Sequence, residues 1–140
     1  MFAKAFEQYD SFRENRLTKR RFTAELWQEL IAEWSTNFAV RTIGKTQEDR
    51  PIQEISWGEG RIDVIAWSQM HGDEATATLA LADIFRLLSS SGGLAQEIKQ
   101  KLHQKITLRI IPRLNADGAE SWQRETALGI DMNRDATKQN

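Results

Sequence analysis

The chain has 140 residues, 40% of them hydrophobic, and a formal net charge of −1. That allows one modest domain with a core, and it lacks the basic excess that a nucleic-acid or anionic-membrane partner requires. With no cysteine and only two histidines, disulfides and thiolate metal sites are excluded, so any metal must be held by His, Asp or Glu.

Residues 1–36 read as an N-terminal polar segment followed by a helix, and residues 37–140 as the main domain. The start, Met1 to Gln8, lacks the uninterrupted apolar core of a secretory signal, and no apolar run approaches membrane-spanning length. A cytoplasmic location is therefore expected. The basic cluster Lys19-Arg20-Arg21 reads as solvated surface. Thr23 has the character of an N-cap, with Glu25 in the first turn, where the helix dipole favours it. Leu26, Trp27, Leu30, Ile31 and Trp34 follow at helical spacing and read as core. Asn37 to Ile43 alternates partially and reads as a strand. A turn-rich connection through Pro51 leads to a second strand, Ile52 to Trp57. Gly58-Glu59-Gly60 reads as a tight hairpin turn into a third strand through Ile65.

The helix that begins near Ala75 should end near Ser90, because Ser91-Gly92-Gly93 is a strong stop. A shorter helix, Leu94 to about His103, precedes a last strand, Lys105 to Pro112. Strand, helix, strand in this order implies a right-handed crossover and parallel pairing, while the hairpin implies an antiparallel part. The expected class is α/β: a mixed parallel/antiparallel sheet flanked by helices.

Two segments carry chemistry. In Met70-His71-Gly72-Asp73-Glu74, a histidine and a glutamate stand three apart between a buried strand and a helix. At a helix start they would point the same way. An imidazole and a carboxylate converging on one point suit a zinc ion; the plainer alternative is that they hydrogen-bond each other or cap the helix. Gly72 would let the backbone bend sharply. The second segment begins with Asn115-Ala116-Asp117-Gly118 and runs through Arg124 to Asn133-Arg134. Arg124 and Arg134 offer planar forks matched to a carboxylate, with Asn133 as an amide donor beside them. Ordinary salt bridges are the alternative for each arginine.

Taken in order, these segments resemble the signature of the zinc carboxypeptidases of the M14 family: H-x-x-E, then N-P-D-G, then R-x-N-x-x-G-x-D-L-N-R. The resemblance covers roughly residues 40 to 135. Gly44-Lys45-Thr46 and Arg50-Pro51-Ile52 resemble the family's lead-in, and Trp67-Ser68-Gln69-Met70-His71 and Asn133-Arg134-Asp135-Ala136 are most similar to a bacterial subgroup. The resemblance implies a partial zinc-carboxypeptidase (phosphorylase/hydrolase-like) fold and a metallocarboxypeptidase. Such an enzyme hydrolyses the C-terminal amide of a peptide or a peptidoglycan-derived peptide with zinc-activated water. It also implies one zinc ion held by His71 and Glu74, with Arg124 polarising the scissile carbonyl and stabilising the oxyanion. Asn133 and Arg134 would hold the terminal carboxylate.

Ala116 replaces the family's proline, Thr126 its asparagine and Met132 its leucine. Asp73 stands where some pancreatic members have an arginine. The family's third zinc ligand, a covering tyrosine and a glutamate general base have no counterpart up to Asn140, so the chain is expected to be the N-terminal part of such an enzyme. His103 reads as a surface or helix-end histidine, at the strand end opposite His71. By itself the chain is expected to be inactive and marginally stable or self-associating. The competing reading is a non-catalytic module, a fragment or pseudoenzyme that binds a carboxylate through Arg124, Asn133 and Arg134.

Overall fold

Residues 2–135 are described by the computed structural model. Met1 and residues 136–140, including Ala136 of the second segment, lie outside them. Two short helices open the chain, α1 (Phe2–Glu7) and α2 (Tyr9–Phe12), where composition had suggested only a polar segment. Long-range contacts hold this arm. Phe12 and Leu17 are buried, the Glu14 carboxylate is gripped by Arg16 and approached by Arg86, and the Glu14 amide donates to Asp83 at 2.7 Å.

Helix α3 (Ala24–Trp34) begins where expected: the Thr23 hydroxyl accepts from the Leu26 amide at 3.2 Å. Its spacing of 3 and 4 turns Trp27, Leu30, Ile31 and Trp34 onto one face, and all four are buried. Each large apolar side chain buried this way contributes on the order of 1.5–3 kcal/mol. That face packs with Ala82, Phe85 and Leu88 of α4 (Thr76–Ser89) over the sheet residues Ile55, Trp57 and Ile110.

The sheet has four strands: β1 (Ala39–Lys45), β2 (Pro51–Trp57), β3 (Ile62–Trp67) and β4 (Ile106–Ile111), in the order β1-β2-β4-β3. The β3–β4 pair is parallel, and the crossover between them runs through α4 and α5 (Gly93–Leu102). The sheet is therefore mixed, as the pattern predicted. The expected β2–β3 hairpin, however, does not form. Strand β4 inserts between the two and pairs antiparallel with β2, with Ile55 opposite Ile110. Gly58 and Gly60 serve close packing here. A Cβ on Gly60 would stand 1.8 Å from the Lys105 carbonyl carbon, and one on Gly58 would stand 2.3 Å from the Ile106 oxygen. Both glycines admit the start of β4 against the connection.

Strand β3 is an edge, and Ile62, Val64, Ile65 and Trp67 on it are exposed. On the face away from α3 and α4 runs a row of alternating charge, in which Arg41 pairs with Glu54 and Arg109 bridges Glu54 and Asp63. Among the described residues no helix is long and apolar enough to cross a membrane.

Candidate functional site

Parallel pairing of β3 and β4 sends both strands out at the same end, the end where open α/β sheets place their sites. The two exits are tied together. The Ser68 amide donates to the Ile111 carbonyl at 3.0 Å, Leu114 donates to the Ser68 carbonyl at 3.1 Å, and Asn115 donates to the Gln69 carbonyl at 2.9 Å. Below them lies a buried polar cluster. The hydroxyls of Ser68 and Thr78 both reach the Pro112 carbonyl, and Thr78 also donates to Gln69 Oε1 at 2.9 Å. Gln69 sits at a φ of 45°, unusual for a residue with a Cβ, and its amide holds the Gly72 carbonyl at 2.8 Å. These bonds over-determine the path of the chain into His71.

His71, Gly72, Asp73 and Glu74 form a turn ahead of α4, closed by the Glu74 amide donating to the His71 carbonyl at 3.1 Å. The motif stands ahead of the helix, as expected, with α4 beginning at Thr76 rather than Ala75, so a turn and not a helical geometry sets the pair. The three-residue spacing still brings His71 Nδ1 to 3.1 Å from Glu74 Oε1, because a closed turn folds i onto i+3 much as a helix does. Gly72 has another role than the bend expected of it, since its φ is not left-handed. A Cβ there would lie 1.9 Å from the Gly118 carbonyl carbon. The glycine lets the turn lie directly on α6 (Ala116–Ser121).

Asn115 organises the second segment. Its Oδ1 caps α6 by accepting from the Gly118 amide at 2.9 Å, and its Nδ2 donates to the carbonyls of Arg124 at 3.2 Å and Glu125 at 3.0 Å. Ala116, in place of a proline, takes the first helical position, which suits either residue. Thr126, in place of an asparagine, staples the turn at Gly129 by accepting from the Ile130 amide at 3.3 Å.

Four side chains meet where these segments converge. Arg124 Nη1 reaches Glu74 Oε1 at 3.2 Å, and Arg124 Nε donates to Asp131 Oδ2 at 2.9 Å. Asp131 Oδ1 lies 3.2 Å from His71 Nε2. Asp131 was not singled out from the sequence, although the D of the second segment's D-L-N-R pattern falls on it. Partial burial pushes its carboxyl up, but hydrogen bonds from Arg124, His71 and the Asn133 amide prevail and hold it below the usual carboxylate range. The bond to Asp131 leads the causes that raise the Arg124 pKa above its ordinary value. Asn133 and Arg134 stand on the short α7 (Met132–Asp135) with exposed side chains. Neither side chain bonds to His71, Glu74 or Arg124.

The donors fit a zinc ion in kind and spacing. Tetrahedral N and O ligands about 2.1 Å from a metal stand roughly 3.4 Å from each other, and the two atoms here stand 3.1 Å apart. The other imidazole nitrogen faces a carboxylate, the arrangement that orients metal-bound histidines. Asp131 meets His71 on that far nitrogen, so it cannot share an ion with Nδ1. Among the described residues no group of three His, Asp or Glu side chains could hold a metal. His103 ends α5 and packs edge-to-face on Trp57 at 5.2 Å, before the start of β4 and at the opposite end of the sheet.

Residues 23–139 match the family model described as zinc carboxypeptidase. Among curated proteins none matches the chain. Among solved structures, a metallo-carboxypeptidase from Burkholderia cenocepacia is 20% identical, with a TM-score of 0.77 over 86% of this chain and 34% of that one. A metallo-carboxypeptidase from Pseudomonas aeruginosa, solved with (2-guanidinoethylmercapto)succinic acid, is 19% identical, with a TM-score of 0.68 over 86% and 33%. The chain thus shares their fold and spans about a third of the length of the structures it matches.

Proposed function

The chain belongs to the zinc carboxypeptidase family, and from that premise we propose that it carries part of a metallocarboxypeptidase site acting on the C-terminal amide of a peptide or cell-wall peptide. The observation that carries this reading is His71, with one ring nitrogen on Glu74 and the other on Asp131.

In this reading His71 Nδ1 and Glu74 would hold the zinc ion. When bound, zinc supplies Lewis-acid chemistry, lowering the pKa of a water toward ~7 and polarising a carbonyl. Asp131 accepts a hydrogen bond from His71 Nε2–H, which fixes the tautomer and would leave the Nδ1 lone pair for the metal. Arg124 keeps its Nε on Asp131 and turns Nη1 from Glu74 to the substrate oxygen where charge develops. A preorganised cationic donor in that role is worth about 3–4 kcal/mol. Asn133 and Arg134, both exposed beside Asp131, receive the terminal carboxylate, the arginine as a two-pronged fork.

Calorimetric binding of a dipeptide with a free C-terminus, in the presence of zinc, tests this reading. Affinity should fall when the terminus is amidated and when Arg134→Ala is introduced, and it should require both zinc and His71. Zinc-independent binding that survives His71→Ala would instead favour a carboxylate-binding module without catalysis.

A further inference from the structure

A second charged group, away from the metal motif, is left unsatisfied by the chain. Arg113 follows the β4 exit and is 6% exposed. Its side chain makes no hydrogen bond to a described residue, and its Nε is buried without a partner. The carboxylate paired with it, Glu120, comes only to 3.8 Å, and Glu120 Oε2 is also buried without a hydrogen bond. Instead the guanidinium packs against the rings of Phe22, at 5.5 Å, and Trp27, at 6.0 Å. Burial pushes the Arg113 pKa below its ordinary value; Glu120 opposes this and Arg50 adds to it. An arginine stays charged even so. A buried cation with unused donors is costly and calls for a partner.

A cavity of about 90 Å³ opens beside it, lined by Arg50, Arg113, Gln28 and Gln53, with Trp27 and Pro112 among its apolar walls. The Arg50 charge is already matched by Asp117, at 2.7 Å, and by Glu48. Gln28 and Gln53 are hydrogen-bonded to each other at 3.2 Å. One positive charge, that of Arg113, is therefore left without a hydrogen-bonded counterpart. No lining residue belongs to the network of His71, Glu74, Arg124 and Asp131.

We propose that this cavity is an anion site in which Arg113 binds a small monocarboxylate such as acetate. The guanidinium fork matches two carboxylate oxygens in one plane. Apolar walls accept a short hydrocarbon end. Glu120, at 3.8 Å, already balances part of the Arg113 charge, so the second negative charge of a sulfate or phosphate would meet repulsion, and these anions are disfavoured.

Melting curves of the full chain in sodium acetate, chloride and sulfate at matched ionic strength test the proposal. Acetate should raise the melting temperature saturably and beyond chloride, because a ligand bound only to the folded state stabilises it by mass action; sulfate, which stabilises folded chains by exclusion from their surface, should act without saturation and alike in the variants. The effect should vanish in Arg113→Met. Removing a buried cation can itself change stability, so Ala24→Leu is the second variant. It fills the cavity while keeping every charge, and it should abolish the acetate response as well. His71→Ala should leave the response intact, which separates this site from the metal motif. Equal responses to acetate and chloride, or an acetate response that persists in both cavity variants, would overturn the proposal. So would a sulfate response that saturates and is lost in Arg113→Met.

Discussion

His71 Nε2 lies 3.2 Å from Asp131 Oδ1 across 60 residues of sequence, and the other oxygen of that carboxylate takes Arg124 Nε at 2.9 Å. One side chain thus orients both the proposed metal ligand and the proposed oxyanion donor. Partners of this kind typically account for 10–100-fold in metal affinity. Asp131→Asn should therefore weaken zinc binding about 10–100-fold, read by competition with a chromophoric chelator. Unchanged zinc affinity would remove Asp131 from the account.

Gly72 is where the metal motif touches the rest of the site. A methyl group there would meet the Gly118 carbonyl carbon at 1.9 Å and the Ala119 nitrogen at 2.2 Å. Backbone on both sides cannot move aside cheaply. Gly72→Ala should lose about 1–3 kcal/mol, the usual range for overpacking, or more if α6 must shift. Urea unfolding measures this, and wild-type stability in the variant would contradict the contact.

Asn115 does two jobs, and substitutions separate them. Asn115→Ala removes the α6 cap and leaves the Arg124 and Glu125 carbonyls without their donor. The expected loss is about 2–4 kcal/mol, from a cap of ~1 and buried groups left unpaired at 1–3. Asn115→Asp keeps the cap but sets a buried carboxylate oxygen against the Arg124 and Glu125 carbonyls, so its urea midpoint should fall well below that of wild type, to that of Asn115→Ala or lower. An Asn115→Asp midpoint equal to that of wild type would show that the amide contacts contribute nothing.

Acid should destabilise the fold through Asp117. Burial alone would raise its pKa, but hydrogen bonds from Thr46, Arg50 and the Glu48 amide bring it below the ordinary value. A carboxyl whose folded pKa lies below its unfolded value, about 3.9, adds stability at neutral pH and loses it as pH falls through the folded value. Glu14 works in the same direction: burial raises its pKa, and Arg16 brings it below the usual range. Urea midpoints should therefore drop below about pH 4 in the wild type. Asp117→Asn should be weaker at pH 7 and decline less steeply in acid. An acid profile parallel to that of wild type would contradict the role given to Asp117.

The parts of this fold legible in the sequence are those set by local periodicity and capping. Thr23 and the stripe from Trp27 to Trp34 specify α3 without help from the rest of the chain. The strand–helix–strand order from β3 to β4 specifies a parallel pair. Strand order was not legible in the same way. Gly58 and Gly60 look alike in sequence whether they turn a hairpin or admit a neighbouring strand, and here Lys105 and Ile106 pack against them. In the site, residue type and spacing pointed to His71, Glu74 and Arg124, which meet. Asp131 escaped because its role depends on two partners 60 and 7 residues away. Arg113 escaped for a similar reason: an arginine after a strand looks exposed until Phe22 and Trp27 close over it.

In the proposed site the imidazole at 71 and the carboxylate at 74 share one cation. Titrating the chain with zinc by calorimetry, alongside His71→Ala and Glu74→Ala, tests it directly. One weak zinc site is expected in the wild type, lost in both variants, whose melting curves without metal should stay close to the wild type's because the turn is held by backbone and Gln69 contacts. Zinc binding of equal strength in all three proteins would contradict it.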